Sequence, residues 1–408
     1  MKKIILNSIG AFIYSVVYVL RFFNIYFFLY PNAFGHQALN VEYFARKAKV
    51  ISKTDNPILV GIRHYEKIRT IANNSLLDHH KYSGLKMVNN RAVCFLLDLG
   101  LTFQKQQIEK RIGGKSSSFL TLTLKMLNTD PDVHLLSNIA FPFDTDETKI
   151  FKDILKKMSL KDRQYYIVLD RGDDYGRLKA SMKNSDAVGY SYTSQHSPIE
   201  IQFKAAREMK KRNITAVKMG NQPIKEFIKS ELILDYTSIY RESMGDVSDL
   251  ALMNGCKFYV GTTSGIFGLA TSLKKPTFLC NTFPWPWNNV PMHNTSIVMP
   301  KKLWLIKEKR MMTLCELIQL EENYSMKDIS FNKSILDSLS IELILNTEDE
   351  IAGGVKEIND RIDGSWCGSN YRLSSILKGH IGEVSKSYLS TYFAENNPDI
   401  MIGINPDS

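Results

Sequence analysis

Cysteine is scarce in this 408-residue chain, and its five residues are scattered: Cys94, Cys256, Cys280, Cys315 and Cys367 form no C-x-x-C pair. An odd, dispersed set argues against a disulfide framework and against a thiolate zinc site, and fits a reducing compartment. Long apolar runs are also missing. The longest, Ile4–Leu20, falls short of the ~20 residues a membrane span needs and is broken by Asn7, Ser8 and Ser15. No small-x-small cleavage site follows it, so a secretory signal is not indicated. There is no internal repeat, no low-complexity tract and no nucleic-acid-binding motif. Lys156-Lys157, Lys210–Arg212 and Lys301-Lys302 read as solvated faces.

What is present is an ordinary globular balance, 44% hydrophobic and 23% charged, which excludes a disordered chain, a fibre and a polytopic membrane protein. The excess of 52 Lys and Arg over 42 Asp and Glu leaves a net charge of +10. Such a surplus suits an anionic membrane surface or a phosphate-bearing substrate. At 408 residues two or three domains are expected.

Residues 1–21 read as a helix with basic ends, Lys2, Lys3 and Arg21, and a polar stripe of Asn7, Ala11, Tyr14 and Tyr18. That pattern suits a helix lying in a membrane interface or one docked on the protein's own core. Asn24–Tyr30 then reads as a buried strand stopped by Pro31, and Gln37–Val50 as a helix after a Gly35-containing turn. Pro57–Ile62 is a second strand. Ala92–Leu97 is a strand or a buried helix, Val133–Leu136 a short strand, and Lys105–Leu127 partly helical. Phe141–Thr148, with Pro142 and three acids, reads as an inter-domain linker.

Further on, strands are expected at Tyr165–Leu169, Thr215–Met219, Leu232–Tyr236, Lys257–Val260 and Pro276–Cys280, the last closing the series. Helices are expected at Ile199–Arg212 and Val247–Met253, and one opening after Gly265. Strands alternating with helices imply a parallel sheet whose ligand lies at the carboxyl ends of the strands. From Thr313 onward the pattern is helical at Leu314–Leu320, Met326–Ile344, Asp349–Ile362 and Ser385–Glu395. The domains are therefore drawn at 1–21, 22–145, 150–310 and 311–408.

Three constellations carry chemistry. Gly261-Thr262-Thr263-Ser264-Gly265 joins a strand to a helix, where small residues, hydroxyls and helix-start amides suit a phosphate or diphosphate. The same residues also suit a tight turn with a hydroxyl cap. Arg171-Gly172-Asp173-Asp174-Tyr175 follows another strand and is either a phosphate fork or a solvated acidic turn. Gly35-His36, with Asn40 and Glu42, places an imidazole titrating near neutrality in the first loop–helix unit, as a base or as a packing residue. Lys218-Met219-Gly220 and Asp235-Tyr236 end two further strands.

Three motifs are set aside. Gly113–Ser116 resembles the end of a P-loop, but Glu109 stands where its first Gly belongs. Asp78-His79-His80 is read as surface, and Asp144-Thr145-Asp146 as a turn rather than a metal-binding D-x-D.

In order along the chain, GHQALNVEYF, Arg171 with Tyr175, VKMG, Asp235-Tyr236, DVSDLALM, GTTSG, Pro276 with Asn281, NTEDEI and Tyr392-Phe393 resemble a family of bacterial surface-polysaccharide glycosyltransferases, over nearly the whole chain. The Arg-Gly-Asp and Ser-Gly turns are similar to those of its fucosyltransferase-like branch. The chain departs from the family at Leu169–Gly172, where His-Val-Arg-Asp is usual, and at Gln195-His196, where Arg-Asn is usual.

The resemblance implies an α/β, GT-B-like enzyme with two Rossmann-type domains facing across a cleft; the residue pattern adds an N-terminal amphipathic helix and a helical C-terminal tail expected to pack back across the domains. It implies transfer of a sugar from a nucleotide-sugar donor to a hydroxyl of a lipid-linked or surface glycan such as lipopolysaccharide O-antigen or capsule, with no metal and no cofactor. His36, Arg171 and Asp173 would be catalytic. Lys218, Gly220, Asp235, Tyr236, Asp249, Thr262, Thr263, Ser264 and Gly265 would hold the donor, and Asn40 and Glu42 would lie on the acceptor side. The expected location is cytoplasmic, at the inner face of the membrane through residues 1–21. The other reading is a non-catalytic nucleotide- or glycan-binding scaffold in a polysaccharide assembly complex.

Overall fold

The computed structural model describes residues 2–30, 34–52, 56–63, 72–111, 139–169, 171, 196–220, 231–283, 293–324, 333–377 and 385–407. Val133–Leu136, Ser116–Leu127, Gly113–Ser116 and Asp173 lie outside them, as does the side chain of His36. The chain forms two compact units, Met1–Thr148 and Lys149–Ser408.

In the first unit, β1 (Ile25–Tyr30), β2 (Ile58–Arg63) and β3 (Lys86–Val88) form a parallel sheet in that order. Helices α1 (Lys2–Leu20), α2 (Phe34–Ser52), α3 (Asn74–Tyr82) and α4 (Arg91–Arg111) surround it. The strand IYFFLY is apolar throughout because both sheet faces are covered. Tyr26, Phe28 and Tyr30 pack with Phe44 and Leu77 on one side, and Phe27 meets the Val17, Cys94 and Leu101 cluster on the other. Ala92–Leu97 is thus helical, within α4, with Cys94 buried and Val93 and Leu96 exposed.

Helix α1 docks on α4. The approach is close because both helices carry a glycine at the crossing: a Cβ on Gly100 would sit 2.7 Å from Ile13 Cγ2, and one on Gly10 would sit 3.0 Å from the Leu99 carbonyl. Tyr14, assigned above to a polar stripe, is half-buried and lies 6.3 Å from the Phe103 ring.

Two expectations for this unit are corrected. His79 and His80 are not surface residues. His79 Nδ1 lies 2.6 Å from Glu147 and Nε2 lies 3.2 Å from the Phe141 carbonyl, while His80 Nδ1 meets the Tyr30 hydroxyl at 3.0 Å. Burial holds the His80 pKa well below the ordinary histidine value. Phe141–Thr148 ends where the two units divide, as an inter-domain linker should, but it is not free chain. Phe141 is buried in the core, and Asp144 and Glu147 exchange backbone-to-carboxylate bonds of 2.8 and 3.1 Å, which start the helix Thr145–Lys157. The Asp-Thr-Asp motif is therefore a helix start.

The second unit is built on an eight-stranded sheet. Its members are β4 (Tyr165–Leu169), β5 (Thr215–Met219), β6 (Ile233–Asp235), β7 (Tyr259–Gly261), β8 (Thr277–Thr282) and β9 (Ile297–Pro300), with two short late strands, β13 (Tyr371–Arg372) and β14 (Tyr388–Leu389). The order is β13-β14-β9-β8-β7-β4-β5-β6, parallel except between β13 and β14. Pro276–Cys280 therefore does not close the series. A second, antiparallel sheet joins β10 (Lys302–Leu305), β11 (Arg310–Met311) and β12 (Ile341–Ile344).

Strand β12 overturns the helix expected up to Ile344. The helix Lys333–Ser338 ends before Ser340, whose φ of 57° breaks the run, and Ile341–Ile344 then pairs with β10. The Ser385–Glu395 helix is likewise split into β14 and the shorter helix Thr391–Asn396. The residues after 310 thus supply strands as well as helices. The long helix Glu348–Ile362 starts with a capping box between Thr347 and Glu350.

Candidate active site at the sheet's switch point

From β4 the chain runs outward through β5 to β6, then returns to the other side of β4 and runs outward again through β7, β8 and β9. The strand order reverses between β4 and β7. In a parallel sheet the two connections leaving these strands turn to opposite faces and open a crevice at the carboxyl edge, where ligands of such folds bind. Arg171 follows β4 and the Gly261–Gly265 turn follows β7, so the two strongest sequence signals meet at this one place.

Contact between them is direct. Arg171 Nη1 donates to the Thr263 carbonyl. The Arg171 backbone is clamped by an antiparallel bridge to Ser197, with N–H···O distances of 3.1 Å in each direction. Gly261 permits the close approach of the strand ends, since a Cβ there would sit 2.7 Å from Leu169 Cβ and 2.6 Å from the Tyr259 hydroxyl. That hydroxyl donates to the Thr262 carbonyl at 2.9 Å and lies 3.3 Å from Ser264 Oγ. Burial raises the Tyr259 pKa, so the phenol remains a donor at neutral pH.

Ser264 is the N-cap of the helix Gly265–Ser272, accepting the Phe267 N–H at 3.1 Å. The Gly268 amide goes to the Ser264 carbonyl at 3.1 Å. The amides of Gly265 and Ile266 precede Gly268, the first intrahelical donor, and so are left free at the helix start, where an anion is favoured. Thr263, Ser264 and Gly265 are half-buried, whereas Thr262 is fully buried and bonds to the Asn281 carbonyl at 3.4 Å. Thr262 thus braces the turn from beneath.

Two further layers support the pair. The His196 Nδ1 lies 3.0 Å from the Arg171 carbonyl. A carbonyl can only accept, so in the neutral ring the proton sits on Nδ1 and the basic lone pair on Nε2. Below, Asn281 and Asn346 exchange backbone-to-side-chain bonds of 2.9 and 2.7 Å. Asn281 Nδ2 donates to Ser197 Oγ at 3.2 Å, and Asn346 Nδ2 to the Pro300 carbonyl at 2.9 Å. This network ties together the chain just beyond β4, β8 and β9. Ser197 was missed because a long-range bridge positions it, with no periodic pattern around it. His196 stood out only as a departure from the resembled family.

The remaining donor-side candidates form a second group at the ends of β5 and β6. Lys218 is fully buried, its Nζ 3.5 Å from Asp235 Oδ1. Asp235 also caps the turn Tyr236–Ile239 through Ser238. Thr237 Oγ1 donates to the Gly220 carbonyl at 2.9 Å. The Tyr236 hydroxyl meets Ser248 Oγ at 2.6 Å and donates to Asp249 at 2.8 Å, and Arg241 lies 3.5 Å from the same carboxylate. These side chains are engaged with one another.

In the first unit, His36 lies in α2. Asn40 is buried, its Oδ1 without a hydrogen-bond partner among the described residues. Glu42 is a strut: its carboxylate accepts from Arg46 Nε at 2.9 Å, the Phe141 N–H at 3.1 Å and the Ala140 N–H.

No protein-family model and no curated protein matches the chain. Among solved structures, it is similar to the glycosyl transferase family 9 protein from Veillonella parvula DSM 2008, at 11% identity and a TM-score of 0.45, over 84% of this chain and 97% of that one. It is also similar to E. coli ADP-heptose lps heptosyltransferase II, at 13% identity and a TM-score of 0.36, over 67% of this chain and 89% of that one. At such identities and scores, neither likeness bears on the chemistry of this chain.

Proposed function

We propose that the chain is a glycosyltransferase that moves a sugar from a nucleoside-diphosphate donor to a hydroxyl of a bacterial surface glycan, without a metal, at the cytoplasmic face of the membrane. One observation carries this: a guanidinium and the amides of a helix start converge at the switch point of a parallel sheet. Such a place suits a diphosphate because the cation, the helix-end dipole and the amides all favour the same charge.

Glycosyl transfer breaks the bond between C1 and the diphosphate oxygen, and negative charge grows on that leaving group. Arg171 and the Gly265 and Ile266 amides stabilise it there, as preorganised donors do in acyl transfer. The acceptor hydroxyl attacks C1 and gives up its proton. His196, held against the Arg171 carbonyl, is one candidate base, with His36 and Asp173 as the others. The buried group around Lys218, Asp235, Tyr236 and Asp249 holds the strand ends that flank the donor.

The test is release of free nucleoside diphosphate from a panel of nucleotide sugars. Release that requires both donor and acceptor and disappears in Arg171→Ala supports transfer. Hydrolysis of donor alone, or binding without turnover, rejects it; the second outcome favours the scaffold reading. Wild-type rates from a well-folded Arg171→Ala protein remove that residue from the mechanism.

A further inference from the structure

The first 41 residues contain Lys2, Lys3 and Arg21 and not one carboxylate; Glu42 is the first acid in the chain. Residues 1–148 hold 18 Lys and Arg against 11 Asp and Glu, so the first unit carries most of the net charge. Within this basic unit α1 has two unlike apolar faces. Gly10, Ile13, Tyr14 and Val17 turn toward α4 and the core. Ile5, Phe12, Val16 and Val19 turn outward and are 52, 68, 42 and 52% exposed.

At 100° per residue those four side chains fall within about 60° of one another, and their row runs about 21 Å along the helix. Phe22 and Phe23 extend it past the helix end at 75 and 68% exposure, with the Phe22 ring edge-on to Tyr18 at 5.8 Å. On α4, Leu96 and Val93 lie one and two turns before Gly100, on the row that abuts α1, and are also exposed. The helices run antiparallel, since Gly10 meets Phe103 while Ile13 meets Gly100. Leu96 and Val93 therefore flank the end of α1 that bears Val16 and Val19.

We infer that this outer face of α1, with Phe22 and Phe23, is a docking surface for an anionic lipid bilayer, and that the helix lies in the plane of the interface. A continuous apolar row flanked by bases and devoid of acids matches a surface that is apolar within and negative at its rim. Among the described residues no helix is long and apolar enough to cross a membrane. The α4 contact reinforces the in-plane orientation, because turning α1 across the bilayer would strip Gly10, Ile13 and Val17 from their packing. The inference is independent of the chemistry proposed for the second unit.

Flotation of the full chain with phosphatidylglycerol-containing vesicles, against pure phosphatidylcholine, tests it. The wild type should float with the anionic vesicles and be released by high salt. A Phe12→Ser, Val16→Ser, Phe22→Ser, Phe23→Ser variant should lose about tenfold or more of that binding. It should keep the melting temperature, because these side chains already face outward. A Lys2→Glu, Lys3→Glu, Arg21→Glu variant should lose the preference for anionic lipid. Failure of the wild type to float, or equal flotation of the serine variant, overturns the inference. So does a wild-type dimer that ignores vesicles and dissociates in the serine variant, which would give the face to a second copy of the chain. A chain that floats but transfers no sugar leaves this surface standing and rejects only the glycosyltransferase.

Discussion

Replacing Asn346 by alanine should damage the second unit far beyond what a single polar side chain suggests. Asn346 Oδ1 is the acceptor for the Asn281 N–H at 2.9 Å, and its Nδ2 is the donor to the Pro300 carbonyl at 2.9 Å. Asn281, Asn346 and Pro300 are all buried, so water cannot replace the lost partner. Each orphaned group costs roughly 1–3 kcal/mol, which makes about 2–6 kcal/mol for the pair. For a unit of this size 1 kcal/mol moves the midpoint by roughly 2–4 °C, so the second unit's transition should fall by about 4–24 °C. Scanning calorimetry of the full chain would read this as a shift of one transition. Lys211→Ala is the contrast: its pair with Glu208 is exposed at 3.2 Å and should cost no more than about 1 kcal/mol. Because Asn281 also holds Ser197 and Thr262, any donor affinity should weaken along with stability. An Asn346→Ala protein that melts with the wild type would refute the claim that this pair fastens the floor of the site.

Two further predictions concern other parts of the molecule. Gly261→Ala drives a methyl into Leu169 Cβ and the Tyr259 hydroxyl, so it should cost about 1–3 kcal/mol and push the turn away from Arg171, read as a lower melting temperature with weaker diphosphate binding. Because burial depresses the His80 pKa, the unfolded chain binds a proton there that the folded chain refuses. The stability this residue allows is full above about pH 6.5 and falls as pH drops below it, so the first unit's melting temperature should decline from pH 7 to 5.5 less steeply in His80→Gln than in the wild type.

The sequence was most legible where the sheet is buried on both faces. YYIVL and TAVKM stand out as short apolar runs between polar segments because helices cover parallel strands on both sides. Among the strands of two to four residues, β6 and β7 were legible at Leu232–Tyr236 and Lys257–Val260, but β3 and β9 to β14 were not. Tyr388-Leu389 becomes a strand only by pairing with Ile297-Val298, and IELI at 341–344 fits helical spacing as well as alternation until β10 lies beside it. At the site, the Arg171 and Ser264 turns were readable because each follows an apolar strand directly. The burial of Lys218, Thr262 and Asp249 was hidden, as was that of His79 and His80, because polar residues in a local window carry no sign of the distant partners that satisfy them.

The central claim is tested most directly by a crystal structure of the full chain grown with a nucleoside diphosphate. The β-phosphate should lie within hydrogen-bonding distance of both the Arg171 guanidinium and the Gly265 or Ile266 amide. A diphosphate bound elsewhere, with Arg171 and Ser264 both out of reach, would contradict the account.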